Sequence, residues 1–287
     1  MKFSVIIVNY ASWAFTLRCI KSLRATGYED LEVILVDNDT APVPKLPKWV
    51  NLLRMGENAG FARAQNRGVG ASTGDLIVVL NPDTIVEKEF FSKVRTFFED
   101  HAKAGVMGPR LLDFSGEIQL SARRDVTMIT GLLGRTSFLT PLFPESSLVR
   151  SQFPAVTGSV PAPVDWVSGA CMVIRREAFE SLMGFDERFF MYFEDADLCR
   201  RIREAGWDVY HAPAIEVFHG VGGSSRSRPK AVWMLHKSAF LYHRKHGIHG
   251  PLNLYSAVVL LGLTARALVK LISGYATDAS VRYRKES

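Results

Sequence analysis

Four carboxylates stand where they could do chemistry. The apolar run DLIVVLNPDTIV, residues 75–86, breaks at Asn81-Pro82-Asp83-Thr84 and leaves Asp83 just past the end of a buried strand. Asn, Pro and Asp are ordinary turn formers, so Asp83 reads either as a turn residue or as a ligand for a divalent cation. Asp37 closes a second run, LEVILVDN, beside Asn38, and Asn9 closes a third, FSVIIVN. Polar residues at the ends of three such strands would gather on one rim of a parallel sheet, where ligands bind. Glu194 and Asp195 follow the aromatic stretch FDERFFMYF. Carboxylates are a residue type able to move protons. Acids in a first helical turn also suit the helix dipole, so one of the pair reads equally as structural.

The elements that must hold these residues have an α/β rhythm. Residues 13–26 set Trp13, Leu17, Ile20 and Leu23 at helical spacing, and residues 87–101 put Phe90, Phe91, Val94, Phe97 and Phe98 on one stripe. VNLLRM is a short strand, and Gly60 with Ala62, Ala64 and Val69 marks a loop entering a helix. Residues 125–165 are irregular and rich in proline. From Val164 the chain reads as strand, helix, loop, helix and two short strands, with Leu198, Ile202 and Ala205 facing inward. The expected fold class is α/β, a single mixed, mostly parallel sheet flanked by helices, with a helical C-terminal extension.

With 287 residues, 47% hydrophobic and 22% charged, the chain is a folded protein, not a disordered one. Three widely spaced cysteines, Cys19, Cys171 and Cys199, argue against a disulfide framework or a structural zinc site. The start, MKFSVIIVNY, is too short for a signal peptide and reads as a first strand, so a cytoplasmic protein is expected. From Arg226 onward eleven Lys and Arg face only Asp278 and Glu286, although the whole chain carries just +6. The basic character therefore belongs to the tail. With no nucleic-acid signature beside it, an anionic membrane surface is the expected partner, and no nucleic acid.

Taken together, SVIIVNY, VDN, NAGFARAQNRG, LNPDT, GACMVIRR, GFDERFFMYFEDADLCRRIREAGW and FHGVGGSS resemble, in that order, the family 2 glycosyltransferases of GT-A fold. The likeness is strongest to their bacterial rhamnosyltransferase-like branch and covers residues 3–225. It implies a catalytic domain at 1–225 and a basic helical extension at 226–287. It implies that Asn9, Tyr10, Asp37 and Asn38 flank the nucleotide, with Asn58, Gly60, Phe61 and Asn66 continuing the pocket. Gly60 would let backbone approach ribose or phosphate closely. Asp83, beside Asn81, would hold Mg²⁺ or Mn²⁺ on the diphosphate, with His219 as a second ligand. Asp195 would be the catalytic base of an inverting reaction, with Trp166, Gly169 and Glu194 on the acceptor side.

The family pattern has two acids flanking one residue where this chain has Asn81 and Asp83, so metal affinity from the protein alone should be weak. Asp197 reads either as a residue orienting the base or as a partner of Arg200 or Arg201. Arg226 and Arg228 read either as closing over the diphosphate or as solvated surface. The resemblance leans to dTDP-L-rhamnose as the nucleoside-diphosphate sugar donor and to a polyprenyl-diphosphate-linked or cell-surface glycan as acceptor. A UDP-linked galactofuranose or N-acetylhexosamine, or an inactive GT-A module at the membrane, stand as alternatives, and a homodimer stays open. A nucleotidyltransferase lacks support because NYASWAFTLR has no Gly-rich loop. A phosphatase reading of VDNDT lacks its matching Lys motif.

The tail carries one more expectation. Residues 251–265, PLNLYSAVVLLGLTA, are uncharged and followed by Arg266 and Lys270. The run is shorter than the ~20 residues a spanning helix needs. It reads as a helix lying in the membrane interface on the inner face of the plasma membrane, or packed on the catalytic domain or a second subunit.

Overall fold

The computed structural model describes residues 1–125, 158–220 and 228–247, with 257, 260–265 and 267 in the tail. The chain opens with strand β1 (Phe3–Asn9), helix α1 (Trp13–Ala25), β2 (Leu31–Asp37), β3 (Val50–Arg54), α2 (Phe61–Val69) and β4 (Leu76–Leu80). Then come β5 (Thr84–Val86), α3 (Phe90–Asp100), β6 (Ala104–Leu112) and the short β7 (Ile118–Gln119), β8 (Ala122–Arg123), β9 (Ala162–Pro163) and β10 (Trp166–Val167). The chain continues with β11 (Cys171–Arg175), α4 (Arg176–Ser181), α5 (Glu194–Glu204), β12 (Asp208–His219) and α6 (Arg228–His246).

The main sheet runs in the order β3-β2-β1-β4-β11-β6-β12-β5. β1 pairs in parallel with both β2 and β4, while β11 runs antiparallel between β4 and β6. The expected mixed sheet is present. Its central strands are buried on both faces, which is why they read as unbroken apolar runs. On one face Phe3, Val5 and Ile7 pack with the α1 residues Ile20 and Leu23 and with the whole phenylalanine stripe of α3. On the other, Ile6, Val8, Ile34 and Val36 pack under α2 and α5. Cys19, Cys171 and Cys199 are free and buried.

Three local expectations differ from the structure. Leu17 is exposed, because α1 turns Thr16, Cys19, Ile20 and Leu23 inward instead. Ala205 is the exposed C-cap of α5, one turn beyond the buried Leu198 and Ile202. The two short strands after α5 are one twelve-residue strand, β12, whose register against β6 slips between Ala212 and Glu216. Pro213, at the slip, has no N–H for the ladder, so a bulge absorbs it and the strand continues. Residues 126–157, Arg226 and most of 251–265 lie outside the described residues.

Gly68 brings α2 close to the sheet: a Cβ there would collide with the Ile6 side chain and lie 3.0 Å from Val36 Cγ2. The Gly68→Val variant is therefore expected to lose about 1–3 kcal/mol by overpacking. A urea midpoint unchanged from wild type would contradict that close approach.

Candidate active site

The β1/β2 register places Asn9 directly beside Asp37. Asn9 Nδ2 donates to Asp37 Oδ1 at 3.2 Å, while Asn9 Oδ1 accepts from Ser12 and Thr16 of the following loop and helix. Asp37 Oδ2 lies 3.5 Å from Arg54 Nε yet, among the described residues, accepts no hydrogen bond of normal geometry. Burial pushes the Asp37 carboxyl up from its usual range, against the pull of the Asn9 hydrogen bond and the Arg54 charge. Tyr10 is exposed next to this pair. Asn38 organises the next turn: its Nδ2 donates to Asn58 Oδ1 at 3.1 Å and to Gly60 O, and its Oδ1 accepts from Ala59 N at 2.9 Å. Asn9, Asp37, Asn38, Asn58 and Gly60 are thus one connected rim.

Gly60 and Asn66 have jobs the sequence did not reveal. Gly60 sits at φ +87°, and a Cβ on it would lie 2.7 Å from Phe190 O. The demand for glycine therefore comes from the Phe190 backbone. Asn66 uses both ends of its amide on the loop before Asp195, accepting from Phe185 N and donating to Phe185 O and Glu187 Oε1, all at 2.9–3.1 Å. Both contacts tie the α2 region to the aromatic stretch, and Phe61 N adds a 2.7 Å bond to Phe190 O.

That stretch delivers Asp195. Tyr192 and Phe193 both adopt positive φ, 71° and 68°, before the chain enters α5 at Glu194. Left-handed backbone at two successive non-glycine residues costs on the order of 1–3 kcal/mol each and collects at functional sites. Asp195 Oδ2 accepts from Gly169 N at 3.0 Å and Oδ1 from Ala196 N at 2.8 Å. A Cβ on Gly169 would fall 3.5 Å from Asp195 Cβ and 3.8 Å from the Phe61 ring, so Phe61, Gly169 and Asp195 converge. Trp166 stands nearby on β10, its Nε1 donating to Arg124 O and its ring stacked 4.8 Å under the Arg123 guanidinium. Burial raises the Asp195 carboxyl, while the two amides and the Arg123 charge work against that rise. Glu194 is pushed well above the usual range, by burial first and by Asp195 second.

Asp83 and His219 meet from distant parts of the chain, because β12 pairs antiparallel with β5 and sets His219 opposite Thr84. His219 Nε2 lies 3.5 Å from Asp83 Oδ1 and 3.4 Å from Asn81 Nδ2. His219 Nδ1 faces Gln119 Oε1 at 2.8 Å, an acceptor, so the ring proton belongs on Nδ1 and the Nε2 lone pair is turned to the Asp83 side. The Asp83 carboxylate oxygen is of the type that suits Mg²⁺ or Mn²⁺, and the His219 nitrogen, oriented by an outer hydrogen bond, lies beside it as a second donor. Among the described residues no group of three or more acids, His or Cys could hold a metal, so most ligands would have to come from elsewhere.

Asp197 pairs with Arg201, Nε to Oδ2 2.8 Å, as one reading of the sequence had it. It also receives Lys245 Nζ at 2.6 Å and His246 Nε2 at 2.7 Å from the end of α6. Lys245 bridges further to Asp186 at 2.7 Å. Burial pushes the Asp197 carboxyl up, but His246, Lys245 and Arg201 outweigh it and hold it below the usual range. Tyr242 OH reaches Asp125, and Ser238 Oγ donates to Met191 O. Sequence reasoning missed Gln119, Arg123, Lys245 and His246, which no local motif marks.

A mixed sheet with polar groups on its carboxyl rim, flanked by helices, is the GT-A architecture. A mannosyltransferase from Pyrobaculum calidifontis in complex with GDP-Man and Mn²⁺ superposes with TM-score 0.55 at 16% identity, over 98% of this chain and 77% of that one. Residues 1–349 of S. aureus TarS in complex with UDP give 0.52 at 14%, over 100% and 76%. At such identities the likeness is one of fold. The sequence goes further: the family model "Glycosyl transferase family 2" matches residues 4–183. The rhamnosyltransferase WbbL of Escherichia coli K12 is 39% identical over 249 residues, 83% of this chain and 91% of that protein. The N-acetylglucosaminyl-diphospho-decaprenol L-rhamnosyltransferase of Mycobacterium tuberculosis H37Rv is 31% identical over 255 residues, 83% and 82%. The chain belongs to glycosyl transferase family 2, on its rhamnosyltransferase-like side, and is a glycosyltransferase.

The elevated Glu194 carboxyl has a stability consequence. A folded-state pKa raised above the unfolded value favours the unfolded chain as pH climbs from the ordinary carboxylate range toward the raised value. Glu194→Gln removes that loss. The variant's melting temperature relative to wild type should therefore rise with pH across this window; a constant offset from acid to neutral pH would refute the buried, protonated Glu194.

Proposed function

We propose that the chain is an inverting glycosyltransferase that moves L-rhamnose from dTDP-L-rhamnose to a glycan carried on a polyprenyl diphosphate. The observation that carries the inverting chemistry is the seat of Asp195, whose carboxylate is oriented by Gly169 N and Ala196 N beside Phe61. The rhamnosyl donor and lipid-linked acceptor are supported by the relatives, named as a rhamnosyltransferase and as an N-acetylglucosaminyl-diphospho-decaprenol L-rhamnosyltransferase. On this reading residues 1–225 form the catalytic domain and residues 226–287 bring it to the inner face of the membrane, as a peripheral protein. Among the described residues no helix is long and apolar enough to cross a membrane.

The roles follow from the donor and acceptor halves. Asp37 Oδ2, which among the described residues accepts no hydrogen bond of normal geometry, suits the imide N–H of the base, with Asn9, Asn38 and Asn58 fixing the rim around it. Asp83 Oδ1 and His219 Nε2 would hold the Mg²⁺ or Mn²⁺, which would supply positive charge to offset the negative charge that the diphosphate gains as its bond to the anomeric carbon breaks. Asp195 takes the proton of the acceptor hydroxyl as that oxygen bonds to the anomeric carbon on the face opposite the diphosphate, inverting it. Burial raises the Asp195 carboxyl, which makes it a better proton acceptor than an exposed carboxylate.

Two variants test these roles. Asp195→Asn removes the proton acceptor and little volume; transfer should fall at least about 10²-fold with nucleotide affinity unchanged. Wild-type turnover at equal folding would dismiss Asp195 as the base. For the metal site, thermal shift with thymidine diphosphate reads binding directly. Asp83→Ala should reduce the shift chiefly when Mn²⁺ is present, and His219→Ala should do so less. If a chelator leaves the wild-type shift and rate untouched, Asp83 is a turn residue or a sugar contact.

A further inference from the structure

Helix α6 has two unlike faces. Ala231, Val232, Ser238 and Tyr242 are buried against the catalytic domain. Through this side Ser238 holds Met191 O, Tyr242 lies 5.5 Å from the Phe193 ring, and Lys245 and His246 grip Asp197. The opposite side presents Lys230, Trp233, Lys237 and Arg244, spaced three, four and seven residues apart along one stripe. Trp233 is 69% exposed, and no acid interrupts the helix. Farther along the extension Leu260 and Leu261 are exposed as well, at 47% and 71%.

We infer that the outer face of α6 is a membrane-binding surface whose occupant is an anionic lipid bilayer, with Trp233 in the interfacial layer and Lys230, Lys237 and Arg244 over the headgroups. The charge argues for this occupant. From residue 226 the extension carries eleven cations against two acids, and the stripe holds cations of one sign around an indole ring. Tryptophan favours the membrane–water interface, and a helix with a basic aromatic face lies in its plane. The expected interfacial helix at 251–265 is joined by an earlier one that is anchored in the fold.

The placement has a mechanistic sense that rests on the lipid-linked acceptor proposed above. The inner face of α6 touches the turn that aims Asp195, and a helix is about 10–12 Å thick. A bilayer on the outer face therefore lies roughly one helix diameter from the base-bearing turn. A hydroxyl on a glycan whose diphosphate sits at headgroup level is then within reach of Asp195.

Co-sedimentation of the full-length protein with phosphatidylglycerol-containing vesicles, and with phosphatidylcholine alone, tests the surface. Binding to the anionic vesicles is expected, and added salt should weaken it. Lys237→Glu should weaken it about tenfold or more, as a charge reversal near an anionic surface does. Trp233→Ser should weaken it too. Both should keep the wild-type melting temperature and the wild-type turnover on a water-soluble acceptor analogue. Three results would overturn the inference: no vesicle binding by wild type, unchanged binding in both variants, or a drop in oligomeric mass on Trp233→Ser, which would give the face to a second copy. Failure of wild type to glycosylate any lipid-linked or soluble acceptor would strike the acceptor reading instead and leave the vesicle result standing.

Discussion

The parallel register of β1 against β2 and β4 is the constraint on which the polar rim depends. Asn9 lies opposite Asp37 and Ile7 opposite Leu80, so all three strands end at nearly one level and their next residues form a single rim. A slip of one residue would turn every side chain to the other face of a sheet that is buried on both. It would exchange the Phe3, Val5, Ile7 set with the Ile6, Val8 set and separate Asn9 from Asp37. The apolar core thus enforces the polar geometry. The Asn9 amide then carries the order outward, joining β1 to Asp37 on one side and to Ser12 and Thr16 on the other.

Two carboxylates on α5, two residues apart, are driven in opposite directions. Asp197 is buried between the Arg201 and Lys245 cations and a hydrogen bond with His246 and is held below the usual range, whereas Asp195 meets two backbone amides and the field of Arg123 and is raised by burial. Environments that push neighbouring acids apart separate a structural role from a chemical one. Asp197 is the anchor and Asp195 the group left able to accept a proton. Glu194 is raised well above the usual range, by burial first and by the neighbouring Asp195 charge second.

Much of this was legible in the sequence, for reasons of period and punctuation. The phenylalanine stripe of α3 and the apolar runs of β1, β2 and β4 announce their own burial. Asn9, Asp37 and Asp83 announce the rim because they follow those runs. What stayed hidden lies in long-range pairing. Nothing near Gly60 in the sequence announces that Phe190 packs against its bare face. Nor does anything there announce that Asn66 holds Phe185 with both ends of its amide. Lys245 and His246 look like part of a solvated basic tail, yet they face Asp197 from nearly fifty residues away. A charge count sees the sign of such residues and not their partner, so the tail has fewer free cations for a surface than its composition suggests.

The strained turn before α5 shows why those long-range contacts exist. Positive φ at Tyr192 and Phe193 is unfavourable for residues with a Cβ, and local sequence offers no glycine to relieve it. The turn persists because it is held from two sides. On the α2 side Phe190 O accepts from Phe61 N across the bare face of Gly60. On the extension side Ser238 Oγ holds Met191 O and the Tyr242 ring lies against Phe193. Each contact is worth about 1 kcal/mol in isolation, comparable with the strain of one residue. Loosening either side would let the turn relax and swing Asp195 away from Gly169. The direction of the Asp195 carboxylate is therefore set jointly by the Gly60 side of the turn and by α6, and neither half of the chain contains the information alone.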